Sequence, residues 1–341
     1  MSFEKGIQRV VDTCMKVQPD EKVVIVTDED SMKIGKKIRE TVLEKTNHVR
    51  FFNLDIYGER PLDRLPERII KKAEEATATF FIARPVKGEL DPVRFPLINA
   101  GVVGGRHAHM VGLTEEIAKI GLSMDYERVA EFTDNLCSMA KRTEEIRVKS
   151  DNGTDFVSKV GRYKWVSSTG ICSRDIKEAG VWLNLPDGEV YTTPTELEGT
   201  AVIDGVIGDY FSDMFGLKEI KSKPLKLEIE QKDKPTIVDV ESKNKALEEE
   251  FERYIGQNPC SKWIGIIGFG TNIFIEEEMG NILIDRKSPN AHLAAGNPIP
   301  ELTFAGWSCP ESGDLLIPEC DVWFDDEKVM EDGEYLVTED S

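Results

Sequence analysis

Few side chains in this sequence are suited to hold a metal ion or to move a proton near neutral pH. There are four histidines, His48, His107, His109 and His292, beside 63 aspartates and glutamates. Any site built on imidazole must therefore rest on one or two residues. His107-Ala-His109 places two imidazoles on one face of an extended segment, a spacing that can chelate a cation. Two ligands do not complete a coordination shell, so this pair reads as structural. Glu319-Cys-Asp321 repeats the i, i+2 spacing with carboxylates. On a strand the two acids share a face and could grip one cation; with none present they repel, and one must take a proton or meet water. Gly265, Gly268 and Gly270 look faintly like a dinucleotide loop. The sequence after them, Glu276-Glu-Glu-Met-Gly280, leads into a strand-like run at Asn281–Ile284 where a helix and a ribose-binding acid would be needed, so nucleotide binding is set aside.

Four longer stretches carry a more specific signal. They are Asn184-Leu-Pro-Asp-Gly-Glu-Val-Tyr-Thr-Thr-Pro194 with the following Glu198-Gly-Thr-Ala-Val-Ile-Asp-Gly205, then Gly265-Ile-Ile-Gly-Phe-Gly-Thr-Asn272, then Asn290-Ala-His-Leu-Ala-Ala-Gly296, and last Ile317-Pro-Glu-Cys-Asp-Val-Trp-Phe-Asp-Asp-Glu-Lys-Val329. Together they resemble the aminopeptidase T family of metallopeptidases. The resemblance implies that Glu189 and His292 are metal ligands. It matches Asp321 to the aspartate of the family's closing His-x-Asp pair and puts Glu319 in place of the histidine. It also sets Ile266 at a metal-binding glutamate, and Gly296-Asn-Pro-Ile-Pro300 offers no counterpart to a metal-binding tyrosine.

The expected centre is therefore one divalent metal at most (Zn, Mn, Fe or Co), held by Glu189, His292, Glu319 and Asp321. Such an oxygen-rich set suits harder cations better than copper. The implied activity is hydrolysis at a peptide N-terminus. The metal would polarise the scissile carbonyl and lower the pKa of a bound water, and Glu319, where it does not ligate, would take the water's proton as catalytic base. Two alternatives stand beside this. Mononuclear iron dioxygenases that cleave dihydroxypyridine rings look like relatives on the same scaffold; they need two histidines and a carboxylate, of which His292 and Asp321 are present. A degenerate, non-peptidase member would instead bind a small ligand. The resemblance also implies a homodimer.

The elements that must position these residues fall into two patterns. Up to residue 143, amphipathic helical periodicity alternates with short buried strands: a helix within 2–18, a strand at Lys22–Val26, a helix ending near Lys45, a strand at His48–Leu54, a helix near Pro66–Ala76, a strand at Thr79–Ala83, a helix near Asp91–Ala100 and a strand at Ala108–Gly112. This order predicts an α/β lobe with a parallel sheet, Rossmann-like in outline. A charged helix over 125–142 follows. From 144 to 341, short alternating segments such as Phe156–Val160, Ala201–Ile207 and Leu225–Glu230, punctuated by Gly, Pro, Asn and Asp, predict a mainly antiparallel β lobe carrying the metal site. One helix, Asn244–Ile255, is expected to interrupt it. The acidic tail Glu331–Ser341 reads as a frayed end.

Bulk composition narrows the partners. With 341 residues the chain can fill two ordinary cores, and a formal net charge of -20 opposes nucleic acid and anionic membrane surfaces. The expected partner is a peptide or small-molecule substrate, with no nucleic acid and no membrane. The acidic balance would suit the ammonium of a peptide N-terminus. The first residues lack the apolar core of a signal peptide, and no apolar run approaches the roughly eighteen residues of a membrane span. Six scattered cysteines read as reduced thiols, which points to the cytoplasm.

Overall fold

Alternating buried strands and helices do build a parallel sheet at the N-terminal end of the chain. The computed structural model describes residues 2–172 and 181–337. Its first sheet runs in the order Val49–Asn53, Val23–Thr27, Ala78–Ile82, Arg106–His109 and Val181–Asn184, with every neighbouring pair parallel. The second and third of these are buried at every position, as continuous apolar runs in a covered sheet must be. Helices Met32–Leu43, Glu67–Glu74 and Phe95–Gly104 connect them. Helix Phe3–Arg9 starts at Ser2, whose hydroxyl accepts from the Lys5 amide, and continues into a π turn at Val10–Cys14.

His107 and His109 lie on one face of the fourth strand and are both buried. His107 Nδ1 meets the Thr79 hydroxyl at 2.7 Å, the two rings meet at 3.2 Å, and Arg94 donates to His109 Nε2 at 3.2 Å. Burial pushes both imidazoles below their ordinary range, so they stay neutral. All four ring nitrogens are thus used inside the protein, and the pair is structural.

Two compact units emerge. The first comprises residues 1–127 and 170–187, the second 128–169 and 188–341, so the chain passes between them three times instead of once near residue 143. The second unit holds two antiparallel sheets. One has eight strands in the order Pro235–Glu241, Leu225–Gln231, Glu196–Ile203, Asp155–Lys159, Glu145–Lys149, Asp321–Phe324, Glu327–Glu331 and Glu334–Tyr335. The other has five: Ser312–Ile317, Asn290–Gly296, Ile264–Gly270, Glu189–Thr192 and Val166–Ser168. Helix Lys245–Ile255 is capped by the Asn244 side chain and buries Leu247, Phe251 and Ile255 at four-residue spacing, one apolar stripe into the shared core.

Several expectations need correction. Gly208–Phe215 and Leu217–Ser222 are helices, so Lys245–Ile255 is not alone. Asn281–Ile284 is not a strand: Asn281 caps a short helix, Ile282–Asp285, and the Asp285 carboxylate accepts the amides of Met279, Gly280 and Asn281 at 2.7–3.0 Å. These local side-chain bonds outcompete the apolar pattern. The acidic tail is not wholly frayed either. It pairs as strand through Tyr335, whose hydroxyl donates to the Gly270 carbonyl at 2.7 Å; residues 338–341 lie outside the described residues. Finally, Cys260 and Cys309 are joined in a disulfide, against the reading of all six cysteines as thiols. No helix among the described residues is long and apolar enough to cross a membrane.

Candidate functional site

The five-stranded sheet has one greasy face and one polar face. Val190, Ile267, Phe269, Ala291, Leu293, Leu315 and Ile317 enter the core of the second unit. Strand alternation then sends Glu189, Tyr191, Gly268, Asn290, His292 and Asp314 to the opposite face. Register brings them together. His292 lies across from Gly268, Gly268 from Tyr191, and Gly270 from Glu189. A Cβ at position 268 would stand 2.4 Å from His292 Nε2 and 2.9 Å from Tyr191 Cβ, so the glycine leaves the space that the imidazole fills.

Arg286 and Lys287 reach this face from the turn after helix Ile282–Asp285. Asn290 holds the turn, its Nδ2 donating to the Asp285 and Ser288 carbonyls, and the Lys287 carbonyl accepts from the Asn272 amide at 2.7 Å. Arg286 Nε then lies 2.7 Å from Glu189 Oε2, its Nη1 lies 2.6 Å from Asp314 Oδ1, and Lys287 Nζ lies 2.6 Å from Glu189 Oε1. One guanidinium thus bridges two carboxylates while an ammonium closes on one of them. Glu189, Lys287 and His292 are buried; the side chains of Arg286 and Asp314 are 15% and 20% exposed and form the solvent edge of the cluster.

His292 is the unusual member. Because Asn290 Nδ2 is a donor to carbonyls, its Oδ1 accepts, 3.0 Å from His292 Nδ1. That assigns the ring proton to Nδ1 and leaves a lone pair on Nε2. Nε2 is buried, has no hydrogen-bond partner among the described residues, and sits 3.7 Å from Glu189 Oε2. Burial and the positive charges of Arg286 and Lys287 push this imidazole well below its ordinary range despite the nearby carboxylate. Burial alone would raise the Glu189 carboxyl, but Arg286 and Lys287 hold it down at about 2. Burial works against the Arg286 charge, and Asp314 and Glu189 more than restore it. The cluster is therefore two carboxylates, two cations and one neutral base.

The four expected ligands do not converge. Glu189 and His292 share this face, whereas Asp321 belongs to the eight-stranded sheet, paired with Lys328 at 2.9 Å and accepting the Asp332 amide. Glu319 precedes that strand instead of sharing a face with Asp321 on it. It lines a separate cavity of about 1500 Å³ with Lys221, Glu278 and Asp332, and its charge, with that of Glu278, adds to the burial that pushes Asp204 up to about 6. Ile266 is packed with Tyr191 and Ala294 as an apolar residue. Among the described residues, the one set of three His, Cys, Asp or Glu side chains close enough to share an ion is Cys260, Cys309 and Glu311, and its sulfurs are already bonded to each other.

A metal ion does not fit the Glu189, His292 and Asp314 cluster as its described residues stand. Two donors, Glu189 and His292, face each other; the third donor, Asp314, is separated from them by the guanidinium that both carboxylates hold. A divalent ion would meet two cations, Lys287 buried and Arg286 at the solvent edge, before it met three ligands. Local motifs could not have found Asp314, Arg286 or Lys287, because their roles come from sheet register and from a turn. The signal nearest to hand was Asp314 standing alone in the strand run Ser312-Gly-Asp-Leu-Leu-Ile317, where alternation puts it on the side away from Leu315 and Ile317.

A family model for 2,5-dihydroxypyridine 5,6-dioxygenases matches residues 107–272, slightly less than half of the chain. The solved structure of 2,5-dihydroxypyridine dioxygenase from Pseudomonas putida KT2440 is similar over 98% of this chain and 97% of its own, with a TM-score of 0.69 at 18% identity. Wild-type AmpT from Thermus thermophilus is similar over 98% and 99%, with a TM-score of 0.61 at 14% identity. No curated protein matches the sequence. The resemblance to aminopeptidase T is therefore a distant relation of fold, and the family match points to the dioxygenases instead.

Proposed function

We propose that the protein binds a small hydroxylated heteroaromatic ring, the compound class named for the dioxygenase it resembles, at the cluster of Glu189, Arg286, Lys287, His292 and Asp314. The observation that carries this reading is the unpartnered, buried Nε2 of His292 beside two side-chain cations. A neutral imidazole nitrogen accepts a hydrogen bond from a ring hydroxyl, and Lys287 with Arg286 favours the negative charge that builds on that oxygen. A peptide ammonium has no such welcome. It would bring a third positive charge beside Arg286 and Lys287.

A second reading, ring cleavage by an iron enzyme, draws support from the family match over residues 107–272 and from the similarity to the Pseudomonas structure. The two readings share a ligand class and differ in the reaction. Chelator-treated protein should hydrolyse no aminoacyl-nitroanilide, and 2,5-dihydroxypyridine should bind it with 1:1 saturation, about tenfold weaker in Lys287→Met, a loss of roughly 1.4 kcal/mol. Oxygen uptake on adding iron and the ring would favour the second reading. Aminoacyl-nitroanilide hydrolysis that vanishes in Glu189→Ala would contradict both. The homodimer implied by the sequence resemblance is kept as part of the proposal, to be tested by sedimentation.

A further inference from the structure

We infer that Arg286 and Lys287 are resident cations in a seat otherwise suited to a divalent metal, so that this site is complete without one. The inference shares its cluster with the proposed function but concerns cations, and its test reads no ring compound. The sheet face presents two carboxylates and a neutral imidazole, from Glu189, Asp314 and His292, a donor set of the kind that holds Zn, Mn or Fe. The imidazole is even oriented as ligating histidines are, with its other nitrogen donating to a fixed oxygen, that of Asn290 at 3.0 Å. Yet the space between the acids is taken by the Arg286 guanidinium, which bridges them at 2.7 and 2.6 Å, and the remaining Glu189 oxygen is taken by Lys287 at 2.6 Å.

The charges make the substitution chemically sensible. The two side chains together supply +2, the charge of one divalent ion, and balance the two carboxylates. Both are placed by one residue: the Asn290 amide clamps the turn that carries them, and the same residue fixes the imidazole. A metal added to this arrangement would bring excess positive charge into a buried site, where like charges repel strongly. His292 Nε2 is then a buried donor atom with no hydrogen-bond partner among the described residues.

The test is metal uptake by the whole chain, by equilibrium dialysis with Zn2+ and Mn2+ at micromolar concentration, with thermal melting as a second readout. Wild type should take up no ion that depends on His292, and its Tm should not respond. The Arg286→Gln/Lys287→Gln double variant, with two uncompensated acids, should melt lower, take up one equivalent, and recover Tm when metal is added; His292→Ala in that background should weaken uptake at least tenfold. Should the double variant not fold, the 15N resonances of His292 in wild type decide the matter, remaining unmoved by Zn2+ if the seat is filled. One equivalent bound by wild type and lost in His292→Ala would overturn the inference, as would a shifted His292 resonance or a folded double variant that ignores metal.

Discussion

Glu189 carries the tightest electrostatic load in the cluster, because it is buried and faces two cations at once. Breaking a buried pair by removing one partner leaves the other charge uncompensated. Glu189→Gln should therefore cost about 3–5 kcal/mol in urea unfolding at pH 7, more than an exposed pair would. The pH dependence has a definite sign. A carboxyl held at about 2 in the folded state, below its unfolded value of 4.5, contributes stability in full above that unfolded value and loses it as pH falls toward 2. Urea curves at pH 7, 4 and 2.5 should show the gap between wild type and Glu189→Gln closing with acid. A gap that does not change with pH would place the stabilisation in packing.

At the scale of elements, the site depends on strand register more than on any motif. Gly268 separates His292 from Tyr191 across the middle strand, and a methyl group there would collide with both. Gly268→Ala should destabilise by about 1–3 kcal/mol, as overpacking does, and should weaken ring binding through displacement of the imidazole; paired melting and titration curves would check both. The stretch bearing His292 was legible through the family resemblance, since Asn-Ala-His-Leu-Ala-Ala-Gly alternates polar and apolar residues only at its start. The turn bearing Arg286 and Lys287 was not. Its run Asn-Ile-Leu-Ile reads as strand by composition, and becomes a helical turn because the Asp285 carboxylate gathers three amides and Asn281 caps the start. Asp314 and Asp321 show the same limit. Both are single acids at strand positions, and only pairing partners decide that Asp314 meets Arg286 while Asp321 meets Lys328.

For the whole chain, the α/β class followed from periodicity: buried five-residue runs separated by amphipathic helices predict a parallel sheet, and short punctuated strands predict antiparallel ones. What periodicity could not see is that Val181–Asn184 returns to the first sheet, since a strand carries no mark of the sheet it joins. The charge reading shifted as well. A net charge of -20 permits a cationic substrate group, yet the cluster on the five-stranded sheet is balanced by its own arginine and lysine. The fold resemblance survives this change, and the expected peptidase chemistry does not follow from it.

In the proposed complex the neutral His292 nitrogen and its two neighbouring cations receive a ring hydroxyl. The ultraviolet difference spectrum of 2,5-dihydroxypyridine on binding, recorded at a pH where the free ring is un-ionised, tests it most directly. Wild type should shift the ring absorption toward that of the ionised form, and His292→Gln should bind more weakly without the shift. An unshifted spectrum in wild type, or a shift that persists unchanged in His292→Gln, would rule out a hydroxyl seated on His292.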